Sequence, residues 1–266
     1  MVVHPDASTS IRLNGEPKSG TGWMKAVFSE VLAEGCSGLE QCTLAKGDKT
    51  HTATTPTQEI SFVFGLLRHV IPNVGHRNGI DLSMPPSRSD AELAAAAQAT
   101  LRDSPVGTKW LVILRDPRAV VISACYFLYG DCPDASRFAS ENIRGISRWI
   151  NLRHRFFSTL RSIAPERVFM VCYEKMRGDE LGTISRLAQW VGMNLSARQV
   201  KIISNRTTFD SVKGEHYRKN PQYRRLKARN GQSCGYKEEL NKDVAEQVTQ
   251  QMRDELNPEL NAAWNC

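Results

Sequence analysis

Residues 10–32 read SIRLNGEPKSGTGWMKAVFSEVL, and the way this stretch divides decides the fold. Residues 10–17 carry the composition of a short strand. Lys18, Ser19, Gly20, Thr21 and Gly22 then make a small polar loop, and from Trp23 to Leu32 apolar residues recur at helical spacing. A strand, a tight loop and a helix in that order aim several backbone N–H groups and the positive end of a helix dipole at one spot. That is how proteins hold phosphate-like anions. The loop lacks the Gly-Lys-Ser/Thr ending of a nucleoside-triphosphate P-loop.

Working outward, Lys109-Trp110-Leu111-Val112-Ile113-Leu114 is a near-continuous apolar run that predicts a strand buried on both faces of a parallel sheet. It ends at Arg115-Asp116-Pro117-Arg118. Residues 167–173 read as a second buried strand, and helices are predicted over about 119–128, 141–160 and 181–191. Ser89-Asp90-Ala91-Glu92 has the form of a capping box opening an Ala-rich helix that Pro105 stops. Strands alternating with helices, without repeats, predict a single α/β domain over residues 1–266 with a central parallel sheet flanked by helices. Residues 35–88 and 210–228 read as loop-rich. In open sheets of this kind ligands bind at the carboxyl ends of the strands, where Lys18, Arg115 and Tyr173 all fall.

The chain has 266 residues, 41% hydrophobic and 24% charged, which is enough to bury a sizeable core. No run approaches the roughly 18 apolar residues of a membrane span, and the start, MVVHPDASTS, lacks the pattern of a signal peptide. These features lead us to expect a protein without a membrane span, located in the cytoplasm, with the secretory lumen as the alternative if an anchor was trimmed. Seven cysteines (Cys36, Cys42, Cys125, Cys132, Cys172, Cys234, Cys266) show no zinc-ligand spacing, so no metal site is expected. They read first as free thiols, although the close pairs Cys36/Cys42 and Cys125/Cys132 allow disulfides. The net charge is +7. Between Lys213 and Arg229 seven basic residues face one acidic residue, Glu215, which implies an anionic partner or a solvated loop.

An arginine following a buried strand must find an anionic or carbonyl partner. Arg115 could pair with Asp116 or an interhelical acid, or it could join Ser123, eight residues on, in gripping an oxyanion. The 18–22 loop has a plainer reading too, as a polar turn that caps a helix. Taken in order, however, the motifs carry a resemblance. Pro17 through Trp23, Leu114-Arg115-Asp116-Pro117-Arg118 through Ser123, Tyr173-Glu174, Thr207-Thr208-Phe209 and Arg229-Asn230-Gly231 resemble the motifs of the sulfotransferases that use PAPS (3′-phosphoadenosine 5′-phosphosulfate). The likeness runs from about residue 10 to 240 and implies the P-loop-like α/β fold of that family.

By that resemblance, Lys18, Ser19, Gly20, Thr21, Gly22 and Trp23 form the 5′-phosphosulfate loop, with Trp23 near the adenine. Arg115 and Ser123 hold the 3′-phosphate. Tyr173, Thr207, Thr208 and Phe209 line the nucleotide, and Arg229, Asn230 and Gly231 close over it. The product would be PAP (3′-phosphoadenosine 5′-phosphate), and no metal is implied. Transfer needs a cation on the bridging oxygen, for which Lys18 is placed, and a base. The family's base is usually a histidine between the first loop and the arginine motif. Two candidates are His76, after a strand-like run, and His51, within Lys49-Thr50-His51 but after residues 45–48 that make no strand. Departures from the pattern are Gly22 where a second Thr is usual, Asn230 for Lys, and a Gly231-to-Gly235 spacing one residue longer, followed by Tyr236 and Lys237. The expected acceptor is a small molecule or a carbohydrate, with no nucleic-acid partner and a monomer or homodimer as the working state. The competing readings are a metal-dependent kinase using the same loop and a polyanion-binding protein using residues 213–229.

Overall fold

A computed structural model describes residues 8–15, 20–37, 43–46, 50–55, 58–63, 87–129, 131–208, 210–212 and 234–264, with the backbone alone over 43–63. One mixed sheet organises them. Its strands are β1 (Ser8–Gly15), β2 (Thr43–Lys46), β3 (Thr50–Thr55), β4 (Gln58–Val63), β5 (Lys109–Leu114) and β6 (Val168–Cys172), in the order β2-β3-β4-β1-β5-β6. Strands β4, β1, β5 and β6 run parallel, and β2 and β3 add antiparallel pairs at one edge. The α/β architecture with a parallel centre and flanking helices is thus as expected.

Strand β5 shows why the centre forms. From Trp110 to Leu114 every residue is buried. Trp110, Val112 and Leu114 enter one core with Phe156, Phe157 and Leu160 of α4 (Ala135–Ile163). Leu111 and Ile113 enter the other with Met24, Phe28 and Leu32 of α1 (Thr21–Cys36). A strand with no solvent face must be apolar at every position. The first core also takes α2 (Asp90–Asp103) and α3 (Pro117–Tyr129), and the second takes α6 (Glu180–Trp190) and α7 (Ala197–Arg206). A short helix, α5 (Tyr173–Gly178), leaves the end of β6 directly.

The expected capping box is formed. The Ser89 hydroxyl accepts from Glu92 N, and the Glu92 carboxylate accepts from Ser89 N at 2.7 Å. Residues 43–63, which we expected within a loop-rich segment, instead make the three strands β2 to β4. Strand β3 carries Thr at four of its six positions, and this β-branched residue favours strands without a continuous apolar run. The remainder of that segment, 64–86, and residues 213–228 lie outside the described residues. The free-thiol reading gives way at four positions. Cys125 and Cys132 form a disulfide across the α3–α4 connection, and Cys36 and Cys234 each take part in a further disulfide rather than pairing with one another. Cys172 is free.

Three C-terminal helices complete the first core: α8 (Tyr236–Glu239), α9 (Lys242–Glu255) and α10 (Pro258–Ala263). They reach the sheet through a buried ion pair. Asp116 is fully buried and caps α3, accepting from Arg118 N at 2.9 Å while Pro117 fills the first helical position. The Arg118 side chain grips the same carboxylate with two prongs, Nε at 3.0 Å from Oδ1 and Nη2 at 2.7 Å from Oδ2. Arg118 Nη2 also donates to the Trp264 carbonyl at 2.7 Å, and its guanidinium stacks on the Tyr236 ring. Removing one partner of such a pair leaves a buried charge uncompensated. Arg118→Ala is therefore expected to cost roughly 3–5 kcal/mol in urea unfolding. Arg137→Ala, which breaks the exposed Arg137–Glu141 pair, is expected to cost less than about 1 kcal/mol.

Candidate functional site

Strand register places the site. Gly15, at the end of β1, pairs with Ile113 of β5, and Leu114 of β5 pairs with Cys172 of β6. The residues that follow, Arg115 and Tyr173, therefore leave adjacent strands at the same level on the carboxyl edge. Their side chains meet there, with the Arg115 guanidinium 4.5 Å from the centre of the Tyr173 ring.

The other face of that ring environment is Gly20. It adopts φ +96°, which side-chain-bearing residues rarely take, and a Cβ built on it would lie 2.6 Å from Tyr173 Cδ2 and 2.8 Å from Cε2. Glycine is thus required twice, for the backbone conformation and for the close approach. Gly20 is the N-cap of α1, its carbonyl accepting from Met24 N at 3.0 Å, and no side chain caps this helix. By contrast α2, α4, α6, α7, α9 and α10 are all capped, by Ser89, Asp134, Asp179, Ser196, Asn241 and Asn257. The loop thus keeps both its readings, a polar turn that caps a helix and an anion site built on the start of α1 beside an arginine held on a ring.

Asp116 is not the partner of Arg115, because its carboxylate is taken by Arg118. Ser123 stands half-buried on α3, the helix that begins two residues after Arg115. Gly22 is exposed, with open space where a Cβ would project. Trp23 is buried and its indole N–H donates to the Thr207 carbonyl at 2.6 Å, locking the start of α1 to the end of α7. The Arg177 guanidinium lies 5.9 Å from the Trp23 ring. Thr208 is exposed and its hydroxyl bonds Ser211 at 2.7 Å. Lys18, Ser19, His76, Phe209, Arg229, Asn230 and Gly231 lie outside the described residues.

His51, the second residue of β3, pairs with Lys46 of β2, so Ala45 and Lys46 do belong to a strand, contrary to expectation. It also pairs with Phe62, which pairs with Ile11 of β1. That puts His51 in the sheet row of Ile11, four residues before the Gly15 end of β1.

Sequence reasoning gave no role to Glu174, whose carboxylate accepts from Asp116 N at 3.1 Å and from the Trp264 indole at 2.9 Å. Its place directly after Tyr173 in a quoted motif was the available signal. Burial, then the charge of Asp116, pushes its carboxyl up to about 7, against the backbone hydrogen bonds and Arg115, which favour the ionised form. Burial raises the Tyr173 phenol as well, while Arg115 opposes it.

The sulfotransferase domain family matches residues 9–258, and the chain belongs to that family. Mouse sulfotransferase 6B1 is 27% identical over 107 residues, 38% of this chain and 35% of that protein, so the match spans about a third of the relative. Among solved structures, retinol dehydratase in complex with androsterone and PAP matches at 15% identity with a TM-score of 0.56, covering 94% of this chain and 81% of that one. Mouse sulfotransferase SULT7A1 complexed with PAP matches at 15% identity with a TM-score of 0.53, covering 96% and 88%. These structural likenesses show the fold.

Two expectations follow from the geometry. Gly20→Ala combines a forbidden backbone angle with a clash and is expected to destabilise by about 2 kcal/mol or more. Gly22→Ala, in open space within the first helical turn, is expected to be neutral or stabilising by up to about 1 kcal/mol, both read from thermal unfolding. For Glu174 the folded state keeps a proton that the unfolded chain has released between about pH 4.5 and 7. Stability from this group is therefore present below that window and lost as pH rises through it, with a slope of up to about 1.4 kcal/mol per pH unit. Glu174→Gln is expected to remove that slope from urea titrations run at successive pH values; an unchanged slope would contradict the assignment.

Proposed function

We propose that the protein transfers a sulfuryl group from PAPS to a hydroxyl or amine of a small-molecule or carbohydrate acceptor. The single observation that carries this is the meeting of Gly20, Tyr173 and Arg115 at the carboxyl edge, beside a helix start whose N-cap residue is glycine. These features fit a ligand with phosphate groups at two positions. The first N–H groups of α1, with Lys18, Ser19 and Thr21, would hold its 5′ side, and Arg115 with Ser123 the 3′-phosphate. Trp23, Thr207, Thr208 and Phe209 would line the nucleoside, and Arg229, Asn230 and Gly231 would cover it.

When bound, the donor supplies a sulfuryl group with PAP as the leaving group. The chain's own part is to orient and to balance charge. Lys18 offsets charge on the bridging oxygen as the bond to sulfur breaks, and a histidine takes the proton that the acceptor oxygen loses as its new bond to sulfur forms. His76 and His51 are the two candidates for that base. The register sets His51 opposite Phe62, one residue before the Val63 end of β4 and so near the carboxyl edge. The disulfide between Cys125 and Cys132 supports work in an oxidising lumen rather than the cytoplasm.

The test is thermal unfolding with PAP. Millimolar PAP is expected to raise the midpoint of the wild type and leave Arg115→Ala unmoved, whereas no shift in the wild type would overturn the reading. Among His76→Ala and His51→Ala, the base is the one whose loss abolishes turnover while the PAP shift persists.

A further inference from the structure

Arg115 is braced twice. Its stack on Tyr173 is the first brace. The second runs through the next residue of each strand end, because Glu174, following Tyr173, accepts from the backbone N–H of Asp116, following Arg115. Two residue pairs leaving β5 and β6 are thus clipped together side by side. The clip has little slack, since the Tyr173 ring is pressed against Gly20 at a distance that admits no Cβ. Any tilt of α5 moves Tyr173 relative to both Gly20 and Arg115.

The same carboxylate reaches the end of the described chain. Glu174 Oε2 accepts from Trp264 Nε1, the Trp264 carbonyl accepts from Arg118 Nη2, and Arg118 is paired with Asp116. These contacts close a ring of buried groups: Glu174, Asp116, Arg118, Trp264 and back to Glu174. Trp264 is buried, and Tyr236, at the start of the same C-terminal segment, lies under the Arg118 guanidinium. Both ends of the segment 236–264 are therefore fastened to the one turn that presents Arg115. A carboxylate is the group that can do this, because each oxygen takes one of two donors arriving from opposite sides. An amide has only one acceptor and would turn its NH2 towards the other donor.

Resting on the nucleotide-binding reading above, we propose that Glu174 is a positioning residue for donor binding, transmitting the anchorage of C-terminal Trp264 to the turn that holds Arg115. Arg115 touches the ligand in this scheme, and Glu174 and Trp264 act through it. Their effect belongs to donor affinity and not to the acceptor side or to the transfer step.

The test measures PAP affinity by titration calorimetry on the full chain, together with steady-state constants for both substrates. Glu174→Gln is expected to raise the PAP dissociation constant about tenfold, and Trp264→Phe, which deletes the indole N–H together with part of the buried ring, severalfold. The double variant is expected to be no worse than Glu174→Gln alone, since both changes break the same connection. The donor KM should rise in parallel, with kcat and the acceptor KM within about twofold of wild type. Leu93→Ala, on the buried face of α2, serves as the control: it lowers the unfolding temperature and leaves PAP affinity unchanged. If Glu174→Gln does not fold, Trp264→Phe decides alone. Wild-type PAP affinity in the variants that fold, with a lowered unfolding temperature, would overturn the proposal and reduce Glu174 to a structural residue. A wild type that fails to bind PAP at all would instead overturn the functional reading on which the proposal rests.

Discussion

Everything at the carboxyl edge of the sheet depends on the close approach of the Tyr173 ring to Gly20. That contact fixes where α1 begins relative to β6, and because Arg115 stacks on the same ring, it fixes the arginine relative to the helix start. Strand register brings Arg115 and Tyr173 to one level, but register alone does not set their distance from α1. The missing Cβ of Gly20 does. A positive-φ glycine at a helix N-cap brings no side chain of its own to the helix start. One small residue thereby serves the fold and the candidate site together.

Holding charged groups at a buried edge is costly unless each finds a partner with good geometry. The structure answers with a chain of bonds rather than with isolated pairs. Asp116 caps α3 and receives the two-pronged grip of Arg118, Glu174 receives two N–H donors, and Trp264 both donates and accepts within the same ring of contacts. The C-terminal helices are consequently part of the site's support, although of their residues only Tyr236 and Lys237 were read with a recognised motif. Burial first, and the charge of Asp116 second, raise the Glu174 carboxyl in this setting.

Much of this was legible in the sequence because its signals are local. The apolar run 109–114 dictates a doubly buried strand, the Ser89–Glu92 box a helix start, and the glycine-rich turn after residue 17 a strand-to-helix junction. What escaped depends on partners distant in sequence. Strands β2 to β4 form by pairing with β1 and with each other, and neither TLAK in β2 nor the Thr-rich β3 shows an apolar run. The C-terminal helices are mostly polar, and their few anchors, such as Val248, Met252 and Trp264, gain meaning only against α3 and α4. The Arg115–Asp116 pair seemed a natural local alternative, yet Arg118, one turn into the helix, reaches Asp116 with better geometry. Glu174 was quoted within a motif, but its two donors come from residues 116 and 264, a pairing that no spacing rule reveals.

The central claim is that Arg115 recognises a 3′-phosphate, and it is tested most directly by comparing the affinities of PAP and of adenosine 5′-monophosphate, which lacks that group, for the wild type and for Arg115→Ala. A charge-assisted contact of this kind is worth about 1.5–3 kcal/mol, so the wild type should prefer PAP by roughly 10- to 100-fold and the variant should bind both alike. Equal affinities in the wild type, or a preference that survives the loss of Arg115, would contradict the account.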